Sequence, residues 1–193
     1  KNQFESVRLI YYSENFTLVP KEYYAREKQK NLASLLLDKK LSGNFIENII
    51  EDLSLVLFFP VSQEISNVLN QFFKNVEILH PITNVIRSYN AGEKGNSSFI
   101  LLTKKCFYLV VFENDKLKLA SSFQIQHPND LVYNVINSYQ QLGLARNDTS
   151  LFVVSAIDQN TEIESLLKPY FNKVGILKTE ELIENFENSL RSV

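Results

Sequence analysis

The chain reads as an α/β protein of two related lobes, the second built on a mixed five-stranded sheet with strand order 3-2-1-4-5. Three observations carry that reading. Phe99–Thr103 and Cys106–Phe112 are apolar on both faces, as internal strands are. The next strand, Lys116–Ile125, alternates Lys116 and Lys118 with Leu117 and Leu119, and lysines so placed guard a sheet edge, which puts this strand outermost. Beyond Pro128, amphipathic helices alternate with short strands, the pattern that parallel crossovers need.

The first half is read in order. Val7–Tyr12, weakly alternating, and Phe16–Val19, which leads to Pro20, read as one or two short strands. Lys21–Asp38 follows as a helix, with Tyr24, Lys28, Leu32, Leu35 and Leu36 on or near one stripe, and Gly43 punctuates it. Phe45–Ile50 fits both strand and helix periods and stays open. Leu53–Phe59 is an internal strand. Ser62 stands where an N-cap belongs, ahead of Ile65, Val68, Leu69, Phe72 and Phe73 at helical spacing. Val76–Leu79 is a strand, and Pro81 opens a short helix to Tyr89.

The second half begins after the polar, glycine-containing stretch 90–98. Lys104-Lys105 makes a tight turn between its first two strands, and Asn114-Asp115 makes the next, since both residues tolerate positive φ. Leu131, Val132, Val135, Ile136, Tyr139 and Leu142 define a helix stopped by Gly143. Leu151–Val154 is a buried strand. Thr161 and Glu164 suit a capping box before Ile163, Leu166, Leu167 and Tyr170, and Pro169 ends that helix. Val174–Leu177 is the last strand, and Thr179 starts a final helix through Leu182, Ile183, Phe186 and Leu190.

This order, three antiparallel strands, helix, strand, helix, strand, is that of a ribonuclease H-like unit. The first half reads as the latter part of the same unit: strand, helix, strand, helix, strand, helix. The expected organisation is therefore a first lobe over residues 1–90, a linker over 91–98 and a second ribonuclease H-like lobe over 99–193. The first lobe's opening strands are expected upstream of Lys1. The sequence contains no methionine, so dropped methionines are expected too. An intact mass equal to 22.3 kDa would refute both expectations.

At 193 residues the chain suits one large domain or two small lobes. Lys+Arg number 20 and Asp+Glu 22, interspersed, for a net charge of −2, which leaves no basic footprint for nucleic acid or an anionic membrane. The longest apolar run, Leu53–Val61, is far short of the roughly 18 residues of a spanning helix, and the N-terminus is not a signal peptide, so the expected location is cytoplasmic. A single cysteine, Cys106, excludes an intrachain disulfide and reads as a buried small hydrophobe. His80 and His127 each precede proline, without the convergent ligands of a metal site, and read as helix-start or turn residues. The Gly92–Ser98 stretch lacks the Gly-Lys-Ser/Thr core of a phosphate loop and leads into a strand, so it reads as a flexible connector.

Phe16-Thr-Leu-Val-Pro20, Leu57-Phe-Phe-Pro-Val61, His80-Pro81 and Ser122-Phe-Gln-Ile-Gln-His-Pro-Asn-Asp-Leu-Val-Tyr133 together resemble a bacterial family of actin-like ATPase fold that has no assigned activity. The resemblance covers nearly the whole chain. It implies two ribonuclease H-like lobes flanking a nucleotide cleft, with an aspartate and a Gly-rich turn after the first strand of each lobe. In the second lobe the cleft positions are Thr103, Lys104, Lys105, Ser155 and Asp158. There the turn carries neither carboxylate nor glycine, and Asp158 is the one acid near the cleft. Clustered carboxylates for two-metal phosphodiester chemistry are missing from Phe99–Thr103 and Leu151–Ser155 as well.

The expected function is thus a non-catalytic binding or scaffold protein on a degenerate actin-like framework, similar to actin-like adaptors of bacterial secretion and pilus systems. No catalytic residue, metal or cofactor is expected. Its partner is expected to be a protein, with no nucleic acid and no membrane insertion. The alternative is a nucleotide-binding protein of the actin and sugar-kinase type, carrying ATP and Mg²⁺, whose key aspartate and glycines would lie upstream of Lys1.

Overall fold

The computed structural model describes residues 7–25, 31, 44–73, 75–91, 95–155 and 160–178. The chain divides into two compact units, Lys1–Thr83 and Asn84–Val193.

The described strands of the first unit are β1 (Val7–Ile10), β2 (Thr17–Pro20), β3 (Asn44–Ile50), β4 (Leu55–Val61) and β5 (Val76–Leu79). Helix α1 (Gln63–Phe72) joins β4 to β5, and α2 (Pro81–Ala91) contains the division between the units. β1 and β5 run parallel, Val7 opposite Val76 and Ile10 opposite Leu79. β4 is flanked by β2 and β3, both antiparallel to it. A central strand must be apolar on both faces, and Val56, Leu57, Phe58 and Phe59 are all buried. The β2 pairing stops at Thr17 opposite Phe58, so Pro60 lies beyond it, where a missing N–H costs no ladder bond on that side.

Three expectations for this half change. Phe45–Ile50, left open between helix and strand, is β3. The anticipated strand–helix–strand alternation fails between β3 and β4, which form a hairpin. Its turn is a 3₁₀ segment, Glu51–Leu53, closed by the Ser54 amide on the Glu51 carbonyl at 2.9 Å with Ser54 at φ 50°. The anticipated helix from Lys21 starts as a 3₁₀ turn, Lys21–Tyr23, after which Tyr24 is extended. Tyr24 instead lies against Phe58, ring centroids 5.9 Å apart. Beyond Ala25, the rest of that helix prediction lies outside the described residues, apart from Asn31. Ser62 does cap α1, its side chain accepting from the Ile65 amide at 3.3 Å.

The second unit holds β6 (Ser97–Leu102), β7 (Cys106–Glu113), β8 (Lys116–Gln124), α3 (Pro128–Leu142), β9 (Ser150–Ser155), α4 (Asn160–Leu167) and β10 (Lys173–Lys178). Its sheet runs β10-β9-β6-β7-β8. β6, β9 and β10 are parallel neighbours, while β7 and β8 are antiparallel additions. In order of appearance this is 5-4-1-2-3, with the lysine-bearing β8 at the border as its alternation predicts. β7, buried from Cys106 to Phe112, is internal.

One face of this sheet, with Ile100, Phe107, Leu109 and Val153, packs against Leu131, Val135 and Tyr139 of α3 and Leu167 of α4. Burying such side chains is the main stabilising term, about 1.5–3 kcal/mol each. The opposite face carries Phe112, on which Tyr89 of α2 stacks with ring centroids 3.8 Å apart. Asn114 and Asp115 take φ 50° and 61° at the β7–β8 turn, and Gly143 takes φ 68° after α3.

Here too there are corrections. α4 begins at Asn160, so Thr161 sits inside the helix and is no N-cap, and Glu164 pairs with Lys168 one turn on at 2.9 Å. The connector is shorter than expected and not free at its far end. α2 continues to Ala91, and the Gly95 amide donates to Asp115 Oδ1 at 2.8 Å. Asn96 Oδ1 accepts from the Asn114 amide at 2.9 Å. The last helix prediction, from Thr179, lies outside the described residues.

Candidate functional site

β6 ends one residue early, which puts Thr103 at the first position of the turn into β7. Its backbone amide and its Oγ1 both donate to the Cys106 carbonyl, at 2.9 and 2.8 Å. The same hydroxyl oxygen accepts from the Cys106 amide at 3.1 Å and, more weakly, from the Lys105 amide at 3.4 Å. It also lies 3.2 Å from the buried Cys106 thiol. The Lys105 carbonyl accepts from the Ile125 amide at 2.9 Å, which ties the turn to the end of β8. A threonine hydroxyl that competes for nearby backbone groups in this way forms a side-chain-closed turn.

A phosphate-binding turn works by presenting unengaged backbone N–H groups to an anion. Here the Lys105 and Cys106 amides are already given to the Thr103 hydroxyl. The Lys104 and Lys105 side chains are exposed on the outside of the turn. The sheet register sets Ser155, at the end of β9, opposite Leu102, the residue before Thr103. The structure therefore brings the backbone of Ser155 and the Thr103 turn to one end of the sheet. Asp158 lies outside the described residues. Among the described residues, no three His, Cys, Asp or Glu side chains are grouped to hold a metal ion.

Both His-Pro pairs start helices. His127 precedes α3, where the Asp130 carboxylate accepts from the His127 and Gln126 amides at 2.7 and 2.9 Å. Those two amides hold the Asp130 carboxyl below its ordinary range.

His80 is built into a buried network that sequence reasoning missed. Asn48, on β3, donates to the Ile78 carbonyl at 2.9 Å and accepts from the His80 amide at 2.7 Å and the Thr83 hydroxyl at 3.0 Å. On the His80 ring, Nδ1 faces the Ile82 amide at 3.3 Å, which can only donate, so the ring proton sits on Nε2 and is given to the Ser13 carbonyl at 2.9 Å. Phe16 and Phe59 lie beside the ring, centroids 4.7 and 5.2 Å away. Burial in this apolar setting lowers the His80 pKa to about 4, against the opposing pull of the Ser13 carbonyl. The ring is thus neutral at pH 7, a structural group. No local signal marked the network: Asn48 follows Glu47 in a strand that also carries Asn44, so nothing in the sequence sets it apart.

No described helix is long and apolar enough to cross a membrane. The sheet order of the second unit defines the class. The chain superimposes on a Bacteroides thetaiotaomicron protein of actin-like ATPase fold and unknown function with a TM-score of 0.77. The two are 20% identical over 91% of this chain and 69% of the other. The protein therefore has the actin-like ATPase fold.

Residues 1–174 match the family described as "Protein of unknown function (DUF3822)", and the chain belongs to that family. Weaker likeness extends to the cytoplasmic domain of EpsL, an inner membrane component of the type II secretion system of Vibrio cholerae, at 9% identity over 97% of this chain and 75% of that one, TM-score 0.44. It extends also to the AlfA filament bound to AMPPNP, at 12% identity over 90% of this chain and 53% of that one, TM-score 0.40. Both are too distant to bear on function. No curated protein matches the chain.

Proposed function

We propose that this protein is a non-catalytic binding or scaffold protein on an actin-like ATPase framework, with another protein as its partner. The observation that carries the proposal is the closure of the β6–β7 turn by Thr103. Two amides that an anion would need are satisfied from within the chain. The turn also lacks glycine and carboxylate, so neither close backbone approach to a phosphate nor Mg²⁺ coordination is provided there. An exposed apolar ridge on α1, formed by Ile65, Val68 and Phe72, is the kind of surface a binding protein presents and supports the same reading.

The competing reading, a nucleotide-binding protein of the actin and sugar-kinase type, draws on the juxtaposition of Ser155 with the Thr103 turn at one end of the sheet. Calorimetric titration with Mg·ATP separates the two. The scaffold reading expects no heat of binding at millimolar nucleotide. Micromolar binding that is lost in Asp158→Lys would overturn it.

A further inference from the structure

We draw no further inference here: the strongest candidate, the apolar ridge of Ile65, Val68 and Phe72 along the outer side of α1, is a helix face for which nothing in the structure shows what covers it.

Discussion

Asn48 holds the backbone of His80 from 32 residues away, its side-chain oxygen accepting from the His80 amide at 2.7 Å. The Asn48 side chain also donates to the Ile78 carbonyl and accepts from the Thr83 hydroxyl, so it joins β3, the end of β5 and the first turn of α2.

Replacing Asn48 with alanine strips a buried carbonyl, an amide and a hydroxyl of their partner at once. Each unsatisfied buried group costs about 1–3 kcal/mol, so the expected loss is roughly 3 kcal/mol after partial relaxation. Urea unfolding at pH 7 reads it. A midpoint equal to that of the parent protein would mean the network is dispensable.

His80 makes stability depend on pH in a stated direction. Its folded pKa of about 4 lies below the ordinary 6.5, so between those values the unfolded chain binds the extra proton. The stability contributed by the neutral ring is therefore complete above pH 6.5 and is lost as pH falls towards 4. Between pH 7 and pH 5 the loss is about 2 kcal/mol. His80→Gln should be weaker at pH 7 yet flatter across this window. A parent slope retained in the variant would assign the effect to other groups.

At the β6–β7 turn, Thr103→Val removes the hydroxyl while keeping the shape. It leaves the Cys106 amide without its side-chain acceptor and should cost about 1–2 kcal/mol. Thr103→Ser, which keeps the oxygen, should restore most of that. Thermal unfolding of the three proteins side by side is sufficient, and equal midpoints would show that the turn closes without the hydroxyl.

Tyr89 offers a separation of ring from hydroxyl. Its ring stacks on Phe112, while its hydroxyl bonds the Gly95 carbonyl and Asp115. Tyr89→Phe keeps the stack and loses the bonds, at about 1 kcal/mol. Amide exchange at Gly95 and Asn96 should quicken by about fivefold or more, the factor that 1 kcal/mol implies. Unchanged exchange there, with the variant folded, would place the restraint on Asp115 alone.

The five-stranded sheet was legible because its edges and turns are written locally. Lys116 and Lys118 mark the border, Asn114-Asp115 marks a turn that needs positive φ, and Gly143 marks a helix stop. The β3–β4 hairpin was not legible, for two physical reasons. Ile46, Ile49 and Ile50 sit at spacings that serve a helix as well as a strand. Its turn places Ser54 in the left-handed region without the glycine or asparagine that advertises it, held there by the bond from the Ser54 amide to the Glu51 carbonyl.

For the candidate site, the departures from a phosphate turn at Thr103, Lys104 and Lys105 were visible as missing residue types. What the hydroxyl does there was not, because its partners are set by the path of the turn. The Asn48 network was illegible for a different reason: its partners are 30 to 35 residues away, and no local pattern encodes such pairings.

The self-closed turn at Thr103 bears on how this unit responds to its surroundings. A loop whose amides await a guest is slack until the guest arrives, and its melting point climbs with guest concentration. Here the hydroxyl is a guest covalently attached, always present at saturation. That end of the sheet is held by bonds the chain makes to itself, whatever the buffer contains.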